Sequence, residues 1–167
     1  MNTTTSFPSV FPNNTVDQSS VSQTEKFLVF SVGKLNLALS VPIVEKILNY
    51  TAIHSSGTTA SGIVHLENRS ITVIDLYQRL FNIKQPNISH AKQFLILAKN
   101  SQHESFGIVI NETPTLFDVS LSQIRVLPAS YRQNDTLNIA SHVMIIPYKE
   151  DSLTVFLLDC DRLVNPV

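Results

Sequence analysis

Gly62-Ile63-Val64-His65-Leu66-Glu67-Asn68-Arg69-Ser70-Ile71-Thr72-Val73-Ile74-Asp75-Leu76-Tyr77-Gln78-Arg79-Leu80-Phe81 reads as strand, tight reversal, strand and short helix in immediate succession. Residues 62–66 are an apolar run, and Glu67-Asn68 makes a polar reversal in which Asn tolerates positive φ. Ile71, Thr72, Val73 and Ile74 are all β-branched, which suits a pleated, half-buried surface and disfavours a helix. The period changes at Asp75. With Gln78 three residues on, Asp75 is the cap of a capping-box-like helix start, and Leu76, Leu80 and Phe81 give that helix one apolar face.

On the N-terminal side, Phe27, Val29 and Ser31 alternate with Leu28, Phe30 and Val32, so both faces are apolar, as in a strand between two packed layers. Gly33-Lys34 is the turn and residues 35–39 return as a second strand. Ser40-Val41-Pro42 then reads as a helix start, with Val41, Val44, Ile47 and Leu48 at helical spacing and Glu45 and Lys46 on the other side. Residues 49–61 are a polar connection. On the C-terminal side, residues 82–92 form a second linker, read as the boundary between two halves. Further strands are expected at 93–98, 105–110, 113–117, 124–127, 139–146 and 153–158, the last pair joined around Tyr148-Lys149-Glu150-Asp151. Asp159 caps a final short helix over 160–164. Leu157-Leu158-Asp159 repeats the strand-Asp-helix order of Val73-Ile74-Asp75, consistent with two similar halves. About ten short strands with two or three single-turn helices indicate an all-β fold of small barrels or a sandwich.

Bulk properties narrow the function. The chain has 167 residues, a net charge of −1 and 15% charged residues, without the basic footprint of a nucleic-acid binder. A weakly charged surface leaves association with other proteins as the accessible role. The single cysteine, Cys160, precludes an intrachain disulfide, no apolar run reaches membrane-span length, and no signal peptide is apparent. A cytoplasmic protein without membrane insertion is therefore expected. Residues 1–24 are built from Ser, Thr, Asn, Gln and Pro, with Asp17 as the only ionised side chain, and are expected to be a disordered tail. Phe7 and Phe11 are its only candidates for a docking peptide.

The unit around Glu67 also resembles the signature of CheW-like domains, in which a Gly-Val-x-Asn-Leu-Arg-Gly run leads into a Val-x-Pro-Val-x-Asp-Leu run. Residues 26–32 with 37–41 resemble that family's opening hairpin, and Phe106-Gly107-Ile108-Val109-Ile110-Asn111 resembles its Gly-x-Val-Val-Asp strand. The resemblance runs over residues 26–164. It implies two intertwined five-stranded barrels of SH3-like kind, with a junction near 82–92, sharing one hydrophobic core. It further implies a non-enzymatic adaptor joining a chemoreceptor's helical hairpin tip to the regulatory domain of a CheA-like histidine kinase, in chemotaxis, phototaxis or pilus motility. Val41, Val44, Ile47, Ile108 and Ile110 are then candidates for an exposed receptor groove. Glu67, Asn68 and Arg69 are candidates for the kinase interface. His65 stands where the family has Asn, and is read as a partly buried histidine hydrogen-bonded to the backbone. Glu67-Asn68 stands where the family usually has Arg-Gly, a charge reversal that should alter partner choice more than stability.

Catalytic patterns are sparse. His54, His65, His90, His103 and His142 have no i,i+4 partner and no cysteine pair, so no zinc site is expected. With four glycines the chain has neither a phosphate loop nor a Gly-x-Ser-x-Gly elbow. Cys160 reads as a core residue rather than a nucleophile, and Asp75 and Asp159 as helix caps rather than catalytic carboxylates. No cofactor is expected. The alternative is a small β-barrel enzyme or ligand-binding protein with a pocket between its halves, which would need convergent polar groups on a concave surface.

Overall fold

The computed structural model describes residues 22–50, 61–84, 92–134 and 136–165. Residues 1–21 of the expected 1–24 tail, 51–60 of the 49–61 connection and 85–91 of the 82–92 linker lie outside the described residues, while Thr24 already opens the first strand and the ends of the connection belong to strands. In chain order the strands are β1 (Thr24–Val32), β2 (Leu35–Ser40), β3 (Val44–Tyr50), β4 (Ser61–Leu66), β5 (Arg69–Ile74), β6 (Gln93–Lys99), β7 (Ser105–Ile110), β8 (Thr115–Ser120), β9 (Ile124–Val126), β10 (Ala140–Tyr148) and β11 (Asp151–Leu158). Helices α1 (Leu76–Phe81), α2 (Ala129–Arg132) and α3 (Cys160–Val164) are short, and single 3-10 turns occupy Val41–Ile43 and Leu121–Gln123.

The strands form a six-stranded sheet, β8-β1-β2-β11-β10-β9, and a five-stranded sheet, β3-β6-β7-β5-β4. Set side by side, these orders expose an internal repeat. β8-β1-β2-β11-β10 in one sheet corresponds to β3-β6-β7-β5-β4 in the other, and each has one parallel pairing, β2 with β11 and β7 with β5. Each sheet takes its opening hairpin from one half of the chain and the strand pair leading into a helix from the other. The 82–92 linker therefore divides the two halves of the sequence but not the two barrels. The chain crosses between sheets at 41–43 and again at 111–114. The sixth strand, β9, is a three-residue addition with no counterpart in the five-stranded sheet.

Three apolar clusters show how the sheets are used. Phe27, Val29, Ala38, Val119, Met144, Ile146 and Val155, with Ile124 and Phe117 against them, draw on every strand of the six-stranded sheet, edges included. A sheet whose two edges reach one cluster must curl around it. Val64, Ile71, Val73, Leu95 and Leu97, with Leu48 and Val109, do the same for the five-stranded sheet. The third and largest cluster lies between the barrels, with Leu28, Phe30, Leu37 and Leu39 from one and Ile74, Ile96, Phe106, Ile108 and Ile110 from the other. β1 and β6 are thus buried on both faces, Phe27 and Leu95 pointing into barrel interiors and Leu28 and Ile96 into the shared core. This accounts for their unbroken apolar runs. Gly107 sits where its missing side chain leaves room for Leu95, whose Cδ1 would lie 2.8 Å from a Cβ there.

The helix expected over 41–48 is not present. One 3-10 turn passes straight into β3, and the Ser40 hydroxyl makes no capping hydrogen bond. The error has a physical cause. Val44 pairs with Ala98 while Lys46 pairs with Leu97, so Glu45 is an extra residue in a bulge. The bulge puts Val44 and Ile47 on the same face although they are three residues apart, which imitates a helical period. The β-branched residues Val41, Ile43, Val44 and Ile47 around Pro42 favour the extended form that is found.

Candidate interaction surfaces

The hairpin between β4 and β5 turns through Glu67 at φ 49° and Asn68 at φ 63°, directly inside the Leu66–Arg69 pair. Two consecutive left-handed residues match the right-handed twist of the flanking strands, which fixes the direction of the tip. Curling of the sheet carries this tip to the opposite edge strand, where Lys46 Nζ of β3 lies 2.6 Å from Glu67 Oε1. That hydrogen bond and the Lys46 charge hold the Glu67 carboxyl below its ordinary pKa. Beside it, Ser105 donates to Glu45 at 2.8 Å and Lys99 approaches Glu45 at 3.4 Å. The Ser105 hydrogen bond is the main cause that lowers the Glu45 pKa, against a partial opposing effect of burial, with Lys99 and Arg69 assisting. Arg69 Nη1 reaches Ser105 Oγ at 3.5 Å. The candidates Glu67, Asn68 and Arg69 are thus exposed at one barrel end, in a group with Lys46, Glu45, Lys99 and Ser105. Strand pairing between distant segments creates that group, and no local spacing in the sequence points to it. His65, on the same hairpin, is exposed rather than partly buried, and its hydrogen-bond partner is the Ser70 hydroxyl at 3.0 Å, not the backbone, because its side chain lies on the outer face of β4.

The five residues assigned to an exposed groove share one face but not one depth. Ile47 pairs with Ile96, Ile96 with Ile108 and Ile108 with Ile74, a row of isoleucines across the sheet. Ile108 and Ile110 are 0% and 2% exposed, so they belong to the shared core and form no open strip. Val41 and Val44 are half-buried against that core. Ile47, at the edge of the sheet, is 40% exposed and is the accessible end of the row.

The Asp75 carboxylate caps α1 by accepting the Gln78 amide at 3.1 Å, and Asp159 caps α3 by accepting from Asp161 and Arg162. Both carboxylates are engaged structurally. Cys160 is buried, and burial, with the Asp159 and Asp161 charges, pushes its thiol up to about 12, far from a reactive thiolate. Among the described residues no three His, Cys, Asp or Glu side chains gather to hold a metal ion. A depression beside α3 is lined by Ser101, Gln102, Asp159, Asp161, Arg162 and Asn165. Its carboxylates are already engaged, Asp161 by the Ser101 amide and hydroxyl and Asp159 by its cap. No helix among the described residues is long and apolar enough to cross a membrane.

The other barrel end has different chemistry at the corresponding place. There β8 meets the end of β10 through Phe117 and Tyr148, with ring centroids 6.0 Å apart, and Lys149 Nζ stands 5.1 Å from the Tyr148 ring. Leu116, on the same edge strand, is 62% exposed. Neither Phe117 nor Tyr148 is marked by periodicity, because their meeting depends on closure of the sheet.

The family model for CheW-like domains matches residues 26–166. The chain belongs to the CheW-like domain family. Among solved structures it is similar to the scaffolding protein TtCheW from Thermoanaerobacter tengcongensis, at 18% identity and a TM-score of 0.65, over 84% of this chain and 88% of that one. That likeness carries the fold: two small intertwined barrels of SH3-like kind. No curated protein matches the sequence.

Proposed function

We propose that this protein is a non-enzymatic adaptor that couples a chemoreceptor-type sensor to a CheA-like histidine kinase. The observation that carries the reading is family membership over residues 26–166, nearly the whole described chain. Two surface features agree with a role in binding. The space between the barrels is filled by the shared apolar core, which leaves little room for a ligand there. The barrel ends instead present a polar cluster and an aromatic group to the outside. In this reading the receptor's hairpin tip packs on the accessible end of the isoleucine row. Ile47 supplies the contact, Val41 and Val44 its margin, and Ile108 and Ile110 the buried floor. The tip bearing Glu67, Asn68 and Arg69 faces the kinase's regulatory domain.

The test is titration of the purified protein with a receptor-tip fragment and, separately, with the kinase regulatory domain. Ile47→Asp should abolish receptor-tip binding, because it sets a carboxylate against an apolar contact, while the exposed position lets the fold survive. Kinase binding should persist. A folded Ile47→Asp protein that binds the receptor tip as wild type does would remove this edge from the interface. A wild-type protein that binds neither partner would end the adaptor reading.

A further inference from the structure

Three cations and two carboxylates meet at the end of the five-stranded barrel: Lys46, Arg69 and Lys99 with Glu45 and Glu67. Both carboxylates are taken within the chain, Glu67 by Lys46 at 2.6 Å and Glu45 by Lys99 at 3.4 Å and Ser105 at 2.8 Å. Arg69 is different. Among the described residues it reaches no carboxylate within ion-pair distance, and its hydrogen bond is a long one, 3.5 Å, to Ser105 Oγ. The Ser105 hydroxyl gives its proton to Glu45, so its lone pairs face the guanidinium and steer it. A guanidinium carries five N–H donors in a planar fork, which leaves most of those of Arg69 turned to solvent. Its backbone is held as the first residue of β5, directly after a tight turn of two left-handed residues.

We infer that Arg69 is the specificity-determining residue of this tip, and that the surface it selects presents a carboxylate to it. The Lys46–Glu67 pair acts as a clasp that positions the tip and withdraws the Glu67 charge from partner choice. This rests on the adaptor reading and deepens it: the kinase regulatory domain docks with an acidic side chain facing Arg69. The Arg69 charge acts on Glu45 and Glu67 without ion-pair contact, and one guanidinium so placed between two paired carboxylates suits a single planar carboxylate, bound bidentately, better than a polyanion.

The experiment titrates the kinase regulatory domain, at low and high salt, against wild type, Arg69→Ala, Arg69→Lys and the reversed pair Lys46→Glu/Glu67→Lys. Arg69→Ala should weaken binding about tenfold or more, as expected for loss of a hydrogen-bonded charge, and flatten the salt dependence. Arg69→Lys should recover only part, since an ammonium lacks the fork. The reversed pair should bind like wild type, because the clasp is kept and Arg69 untouched. Arg69→Ala affinity within about twofold of wild type overturns the assignment. So does a reversed pair that loses affinity as Arg69→Ala does, or an Arg69→Ala variant whose only change is a lower melting temperature. Wild type that fails to bind the domain overturns the adaptor reading itself, and the role of Arg69 with it.

Discussion

The two barrel ends occupy equivalent places in the repeat and are closed by opposite chemistry. In one, edge strand β3 meets the β4–β5 tip through Lys46 and Glu67; in the other, edge strand β8 meets the end of β10 through Phe117 and Tyr148. The same contrast recurs where each helix covers a hairpin turn. The aromatic rings of Tyr77 and Phe81 on α1 lie over Gly33 in the β1–β2 turn, whereas Asp161 of α3 accepts hydrogen bonds from Ser101 in the β6–β7 turn. Topology therefore specifies that a contact forms at these places, not what it is made of. The choice matters energetically. An aromatic contact removes apolar area from water and is insensitive to salt, whereas an exposed ion pair contributes little and is screened. The charged contact is thus the more salt-sensitive of the two and the aromatic contact the more stabilising.

The largest expected effect comes from breaking the aromatic closure. Phe117 packs against the interior of its barrel, and Phe117→Ala should destabilise the protein by about 2–3 kcal/mol, somewhat less than for a fully buried ring. Chemical denaturation measures it, and a loss too small to detect would mean that the ring contact is incidental. An intermediate effect tests the repeat itself. Asp75→Ala and Asp159→Ala remove caps at equivalent positions, and each should cost about 1 kcal/mol. Sharply unequal losses would show that the two strand-to-helix junctions are not energetic equivalents.

The smallest effect on stability is expected at the charged end, and its signature is pH. The Lys46 contact depresses the Glu67 pKa, so its contribution is present above the ordinary glutamate value, about 4.3, and is lost as pH falls through the lower folded value. Side-chain NMR shifts of Lys46 and Glu67 should therefore change together below that range, while those of Phe117 and Tyr148, a contact without a carboxylate, stay in place. Ring shifts that follow the same acid transition would show that the two closures are coupled.

Much of the architecture was legible along the chain because it rests on short-range rules. The tight reversal at Glu67-Asn68, the β-branched run from Ile71 to Ile74 and the Asp75 to Gln78 spacing each act within a few residues, and the unbroken apolar run of β1 announces burial on both faces. The segment after Ser40 misled for the converse reason. A bulge at Glu45 is set by pairing with β6, some fifty residues away, and its spacing imitates a helical stripe even though the β-branched residues around it favour a strand.

Propensity, turn chemistry and capping are local, and they suffice for an all-β chain of two similar halves with capped helices at corresponding places. Long-range packing settled which strands share a barrel, that Ile108 and Ile110 lie at 0% and 2% exposure under Ile47, and that Lys46 meets Glu67 while Arg69 is left facing solvent. Those outcomes follow from the curling of each sheet and the exchange of hairpins between the halves. Both depend on contacts between residues far apart in the chain, and such contacts leave no period for a sequence to display.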